Sequence, residues 1–295
     1  MRITPTCLAL ASALLAPCAL ATSPAPATPE VRWLTTDFPP LYILSGPERG
    51  RGLADVAQNL VIQRLDGFRH TEEEVPANYP RIEQEMKNWA NVCFAGFLKT
   101  PERERAFIFS DAYRLMLPIH LFTLVDHAPL PTHGGRVDLR ALLAGGQLRL
   151  GVLGGRRYGT AIDELLAEHP DDKAVYRRYA QDQLEGLLGM MASQGRGIDA
   201  VLAYPNEVLH RTAASGKPPL DVRRYAIEGT PEYQEGYIAC SRSALGRQVI
   251  AAVNGVIPQV RQAVAEVYDA ELPEADRPRY RALLQRLFGI TPGQR

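Results

Sequence analysis

A guanidinium that directly follows an apolar segment is the strongest chemical signal in this 295-residue sequence. Residues 92–98 have the composition of a buried strand, and the turn at residues 100–103 ends in Arg103. In open α/β sheets, ligand-binding groups lie at the carboxyl ends of strands. Arg103 cannot be neutralised at physiological pH, and its planar fork matches a carboxylate or a phosphate. The turn with Thr100 and Arg103 is therefore a candidate site for a small anion.

A second turn, at residues 151–159, has related chemistry. Its sequence is Gly-Val-Leu-Gly-Gly-Arg-Arg-Tyr-Gly, in which Gly155 allows unusual torsions and Arg156 and Tyr158 follow. The helix predicted after it would present unpaired N–H groups to an anion. The alternative is a tight strand–helix turn with solvated arginines. Since the two turns belong to different predicted domains, they can face each other across a cleft.

Aromatic residues fall at or just after predicted strand ends. Phe38, Tyr42 and Tyr204 can pack there against the apolar body of a small ligand, or serve as ordinary packing. The prolines at 39 and 40 stiffen the loop that carries Phe38, which lowers the ordering cost on binding.

Other chemistries find little support in the sequence. The six histidines form no His-Glu-x-x-His pair and no zinc-spaced quartet with cysteine. The sequence has neither a Gly-x-Ser-x-Gly elbow nor a phosphate loop. The 33 basic and 33 acidic residues are balanced, which argues against a nucleic-acid partner. We expect no metal, no other cofactor and no catalytic residue.

The N-terminus predicts export from the cytoplasm. Arg2 precedes an apolar segment at residues 7–15, and Ala-Leu-Ala at residues 19–21 matches a signal-peptidase site. We expect cleavage after Ala21, a flexible proline-containing leader at residues 22–30, and a periplasmic location. Cys93 and Cys240 would then be the only remaining cysteines, in a compartment where disulfides persist. A single bridge and two buried thiols are both open.

Strand and helix signals alternate in two successive groups. Residues 31–114 begin as βαβαβ, which predicts a parallel sheet covered by helices. A β-prone run at 115–125 leads to a second alternation, and the chain after residue 230 lacks enough strands for a third sheet. We therefore predict a discontinuous lobe 1 at 31–114 and 231–295, a lobe 2 at 115–230, and two hinge crossings. Pro258 is expected to separate two helices.

Several motifs, taken together and in order, resemble those of the bacterial extracellular solute-binding proteins of family 3, the periplasmic amino-acid-binding type. These motifs are residues 35–42 with Gly50-x-Gly52, residues 100–103 followed by 109–113, residues 150–155 and residues 197–201. The resemblance implies an α/β, two-lobed periplasmic binding protein of type II, with helix-covered, mainly parallel sheets. It also implies that the lobes close on a solute, that Arg103 pairs with its carboxylate and that Phe38 stacks on it.

The sequence departs from that family where an amino acid would be held. Members that bind α-amino acids have hydroxyl side chains just ahead of the Thr-x-x-Arg turn, where this chain has Gly96 and Leu98. They also have an acidic residue for the ammonium group where this chain has Tyr204. An ammonium group in a closed cleft loses its hydration, and no ion pair compensates for that loss unless Glu207 or Asp37 supplies the carboxylate.

The sequence thus predicts a monomeric, non-enzymatic periplasmic protein that captures a small organic anion or modified amino acid by lobe closure. A membrane transporter or a membrane sensor is the expected partner. The alternatives are a ligand-free sensor or accessory module and a dehydratase on the same fold. The predicted ligand-binding residues are Asp37, Phe38, Tyr42, Thr100, Arg103, Gly155, Arg156, Tyr158 and Tyr204.

Overall fold

The computed structural model describes residues 27–170, 173–193, 197–214 and 220–293. The predicted signal segment at residues 1–21, its cleavage site after Ala21 and the leader up to residue 26 lie outside the described residues. Regular structure begins at Glu30, with the first strand.

The first sheet has six strands in the order β2-β1-β3-β12-β4, with β5 also paired to β12. β1 is parallel to β2 and β3, whereas β12 is antiparallel to β3, β4 and β5. The strands are β1 (Glu30–Thr35), β2 (Arg69–Glu74), β3 (Val92–Phe97), β4 (Phe107–Phe109), β5 (Arg114–Met116) and β12 (Gln234–Ser241). The helices that accompany them early in the chain are α1 (Leu53–Ile62), α2 (Tyr79–Asn88) and α3 (Pro101–Ala106).

The second sheet also has six strands, in the order β7-β11-β6-β10-β8-β9. β8 is parallel to β9 and β10, and β6 is antiparallel to β10 and β11. The strands are β6 (His120–Leu124), β7 (Arg136–Val137), β8 (Leu150–Leu153), β9 (Val175–Arg178), β10 (Ala200–Ala203) and β11 (Val222–Ile227). The helices are α4 (Leu139–Ala144), α5 (Thr160–Ala167), α6 (Gln183–Ala192) and α7 (Pro205–Ala214).

The two sheets define two lobes, and the predicted two-lobed α/β fold is confirmed. The chain crosses between the lobes at residues 117–119 and again at residues 228–233. The crossings lie side by side, because β5 and β12 pair antiparallel with Met116 opposite Gln234. The predicted lobe boundary after residue 114 falls inside β5.

The β-prone run at residues 115–125 contains the end of β5 at Met116, the first crossing and β6 from His120. One helix prediction was wrong. The region around Pro258 forms one continuous helix, α8 (Ala244–Glu271), which a short 3₁₀ turn joins to α9 (Arg277–Phe288). Proline removes one helical hydrogen bond, but the buried stripe of Val253, Ile257 and Val260 continues past it and holds both halves in line.

A disulfide joins Cys93 to Cys240, so of the two alternatives that the sequence left open the single bridge is present. The two residues lie directly opposite each other on β3 and β12, with their Cα atoms 4.0 Å apart. The bridge spans 147 residues of sequence and thus encloses the whole second lobe. None of the described helices combines the length and the apolar character needed to cross a bilayer.

We predict that a C93A/C240A double variant loses about 2–4 kcal/mol of unfolding free energy, because the bridge restricts the unfolded chain. Urea denaturation followed by circular dichroism measures this loss. Wild-type protein treated with reductant is the control, and it is expected to match the double variant. Equal denaturation midpoints for oxidised wild type and the variant would contradict the prediction.

Candidate ligand-binding site

A small cavity lies between the two lobes. Its volume is about 30 Å³, enough for one or two water molecules. The side chains that line it and carry polar groups are Tyr79, Arg103, Arg114 and Tyr268 from the first lobe and Arg156, Arg157, Tyr204, Asn206 and Glu207 from the second. Four of these nine side chains are arginines, whereas Glu207 is the one carboxylate.

Arg103 reaches this cavity because a short helix follows β3 directly. Thr100 caps α3 by accepting a hydrogen bond from the backbone N–H of Arg103 (3.3 Å), and Pro101 occupies the first turn. The guanidinium is 3 % exposed and lies 4.0 Å from the ring centroid of Phe97. Its Nε donates to Oε1 of Glu83 (3.0 Å) and its Nη1 to the carbonyl oxygen of Leu98 (3.2 Å). The charge predicted to meet a ligand is therefore already paired within the first lobe.

Arg156 is also paired, within the second lobe. Its two terminal nitrogens donate to the Glu207 carboxylate at 2.6 and 3.3 Å, and Glu207 also accepts from the backbone N–H of Tyr204 (2.9 Å). Burial by itself would lower the pKa of Arg156, but the Glu207 charge outweighs it and raises the pKa. The guanidinium lies 5.3 Å from the ring centroid of Phe38. Arg156 thus covers the ring that was expected to stack on a ligand.

Tyr204 and Tyr158 belong to one hydrogen-bond chain at the hinge. Tyr204 lines the cavity and donates its hydroxyl to Oε1 of Gln234 (2.8 Å). Nε2 of Gln234 donates to the carbonyl oxygen of Tyr158 (2.8 Å). Because Gln234 begins β12, the chain ties the second lobe to the crossing. The side chain of Tyr158 is buried beside the cavity, where its hydroxyl accepts from the N–H of Leu153 (2.7 Å).

The structure does not bring Tyr42 and Thr100 to the cavity. Tyr42 is fully buried in the first lobe, where it stacks on Phe94 and its hydroxyl donates to Gln58 and accepts from the N–H of Ala95. Its position after β1 suggested a ring at the end of the strand, but the turn in which the backbones of Phe38 and Tyr42 pair places Tyr42 inward. The hydroxyl of Thr100 caps α3 instead of facing the cavity.

Gly155 and Asp37 lie near the cleft without lining the cavity. Gly155 has φ +74°, and a Cβ there would lie 2.5 Å from Cδ of Pro80, so the glycine lets the lobes approach closely. Asp37 is exposed and accepts from the N–H of Leu44 (3.2 Å). Since Glu207 is held by Arg156, neither predicted countercharge faces the cavity unpaired.

Sequence reasoning missed several residues of the site. Glu83 pairs with Arg103 from α2, and Tyr79 begins the same helix. Arg114 directly follows the motif at 109–113. The sequence feature that could have identified it is a charged residue at the start of an apolar run. Asn206 donates to Glu271 (3.1 Å) on α8, where burial raises the pKa of the carboxyl to about 7.

Solved structures of other proteins share this fold. No family model and no curated protein matches the chain. An ancestral arginine-binding protein bound to arginine is 15% identical and covers 83% of this chain and 98% of its own, with a TM-score of 0.60. A putative L-cystine ABC transporter protein from Listeria monocytogenes is 15% identical and covers 84% and 97%, with a TM-score of 0.60. A histidine kinase sensor domain is 12% identical and covers 90% and 97%, with a TM-score of 0.59.

These likenesses confirm, at the level of fold, the resemblance to periplasmic amino-acid-binding proteins. The chain has the two-lobed fold that transporter-linked binding proteins share with a sensor domain of a histidine kinase.

We predict that breaking the buried Arg156–Glu207 pair destabilises the protein much more than breaking an exposed pair. R156M leaves a buried carboxylate without its cation, which costs about 3–5 kcal/mol of unfolding free energy. R156M/E207L removes both charges and is expected to recover most of that loss. R81M, which breaks the exposed Arg81–Glu85 pair, is the control, with an effect below about 1 kcal/mol. A single-variant loss at Arg156 as small as that at Arg81 would disprove the buried pairing.

We predict that Glu271 makes the protein less stable as pH rises. Its pKa is about 7 when folded, against the ordinary value of 4.5, so the folded state binds the proton more tightly than the unfolded state. The free energy of unfolding therefore falls as the pH rises from the unfolded to the folded pKa, by up to about 3 kcal/mol for a shift of this size.

Denaturation midpoints at pH 5 and pH 8 measure this effect. E271Q keeps an acceptor for Asn206 and lacks this titration, so its stability relative to wild type is expected to rise from pH 5 to pH 8. E274Q, at an exposed neighbouring position, is expected to keep the pH dependence of wild type. The same pH dependence in E271Q and wild type would refute the assignment.

Proposed function

We propose that the protein is a periplasmic solute-binding protein that captures a small organic anion by lobe closure. The observation that supports this most is the charge of the interlobe cavity. Arg103, Arg114, Arg156 and Arg157 line it, and among the described residues ion pairs hold only Arg103 and Arg156. A site with this excess of guanidinium groups favours a carboxylate.

The same charges disfavour a free amino acid. An ammonium group needs a carboxylate partner when it leaves water. Glu207 already accepts from Arg156 and from a backbone N–H, and Glu83 is held by Arg103. A carboxylate whose neighbouring carbon bears an oxo, hydroxyl or blocked amine group fits the site better.

Closure would follow from the contacts that a solute makes with both lobes. Arg114 and Tyr79 belong to the first lobe, and Tyr204 and Asn206 belong to the second. A solute that touches both sides stabilises the closed arrangement by its differential affinity. The paired crossings at residues 117–119 and 228–233 supply the hinge. A membrane transporter or a membrane sensor would then read the closed form.

We predict that 2-oxo acids bind and that their amino-acid counterparts do not. Matched pairs are pyruvate with alanine and 2-oxoglutarate with glutamate, because each pair differs at the group beside the carboxylate. Thermal unfolding is expected to shift upward with an oxo acid, and calorimetry gives its affinity. Preferential binding of the amino acids, or no binding by any of the four, would overturn the proposed function.

One observation favours a second candidate, a closed module that acts without a solute. The Arg156 side chain lies over Phe38 and pairs with Glu207, and the cavity that both arginine and glutamate line has a volume of about 30 Å³. Such a module would respond to a protein partner. Small-angle scattering that shows the same compact form with and without every probe, together with absent binding, would favour this candidate.

A further inference from the structure

Arg114 differs from the other buried arginines of the cleft. It is 7 % exposed and lines the interlobe cavity from β5, the strand that leads into the first crossing. Its Nε is enclosed and has no hydrogen-bond partner, as is also the case for Nη2 of Arg103. Within the described ranges, its guanidinium forms no side-chain hydrogen bond and no ion pair, and it lies 5.4 Å from the ring centroid of Tyr113. A buried guanidinium without an anion is costly, which makes this arrangement unusual for a purely structural residue.

The neighbouring carboxyl groups do not neutralise Arg114. Glu207 is committed to Arg156, and Glu83 is committed to Arg103. Glu271 is near enough for the Arg114 charge to lower its pKa, but burial raises that pKa more, to about 7. At and below neutral pH, much of Glu271 is therefore protonated.

The fold makes room for the Arg114 side chain. Gly236 lies opposite Arg114 on β12, and a Cβ at that glycine would lie 2.1 Å from Nε and 2.7 Å from Cγ of Arg114. The arginine stem therefore crosses directly over the glycine on its way to the cavity. A side chain at position 236 would displace the guanidinium.

Two hydroxyl groups can act with Arg114 toward an anion. The Tyr268 hydroxyl lines the cavity and accepts from the N–H of Leu117 (3.1 Å), which leaves its own proton available. Tyr79 also lines the cavity, and its hydroxyl forms no hydrogen bond within the described part of the chain. A carboxylate has two oxygens and accepts several such donors at once.

We propose that Arg114, and not Arg103, is the residue that holds the carboxylate of the solute. Arg103 is then a structural residue, paired with Glu83. This inference rests on the proposed function and assigns its anchor to a different strand from the one that the sequence motif indicates. An anion at Arg114 would also sit beside the crossing, where its charge is coupled to the geometry of the hinge.

The test compares R114M, G236A, R261M and R103M/E83L with wild type, using pyruvate and 2-oxoglutarate as probes. R114M is expected to weaken the affinity for the oxo acid that binds wild type by about 100-fold, because one partner of a buried charged contact is lost. G236A is also expected to weaken the affinity for that oxo acid, because the new Cβ would displace the Arg114 guanidinium. R103M/E83L removes both members of the Arg103–Glu83 ion pair and is expected to weaken the affinity less than about tenfold.

Stability without any probe supplies an independent readout. R114M is expected to raise the melting temperature by about 3 °C, since it removes an unpaired buried charge. R261M is the matched control, because Arg261 lies outside the cavity and donates to the carbonyl oxygen of Ala112 (2.7 Å). R261M is expected to lower the melting temperature and to leave the affinity unchanged.

The outcomes separate the two proposals. If wild type binds neither oxo acid, the proposed function fails and this assignment fails with it. If wild type binds one and R114M keeps its affinity while R103M/E83L loses it, only the Arg114 assignment is overturned. A melting temperature of R114M below that of wild type, by as much as for R261M, would show that Arg114 is structural and would also overturn the assignment.

Discussion

The interlobe cleft is dominated by a shortage of carboxylates relative to guanidinium groups. Taking an arginine out of water is costly unless an anion meets it, so each cleft arginine constrains what packs around it. Arg103 and Arg156 each have a carboxylate within their own lobe. Arg114 has none among the described residues, and that difference sets the electrostatic character of the closed cleft. The ion pairs of Arg103 and Arg156 stabilise the individual lobes, whereas the unpaired Arg114 sets the charge of the cavity.

The hinge and the cavity share residues, so the binding of a solute in the cavity would change contacts at the hinge. Arg114 belongs to the strand before the first crossing, and Gln234 opens the strand after the second. Gln234 also joins Tyr158 and Tyr204 of the second lobe through its amide group. The Arg224–Asp276 ion pair adds a contact between the second sheet and the C-terminal turn. Any movement of one lobe must therefore rearrange hydrogen bonds that lie beside the cavity.

The core of the first lobe is held together from distant parts of the chain. The Cys93–Cys240 bridge fixes β12 against β3, so the C-terminal return cannot separate from the sheet while the bridge is intact. The long helix α8 then carries Tyr268 and Glu271 to the cavity edge. The first lobe therefore presents a surface built from both ends of the chain to the second lobe. Gly155 against Pro80 shows how closely the two lobes approach each other.

Local sequence patterns determined the alternation of strands and helices and the α/β class, and they limited the candidates for a disulfide to Cys93 and Cys240. They also placed Arg103 and Arg156 at strand ends, because apolar periodicity and turn residues act over a few positions. Tertiary structure alone decided which charges are satisfied. Glu83 lies 20 positions from Arg103, and Glu207 lies 51 positions from Arg156, so no local pattern reveals these pairs. It likewise decided that α8 continues through Pro258 and that Arg114 reaches the cavity over Gly236, since burial and space depend on neighbours brought together only by the fold.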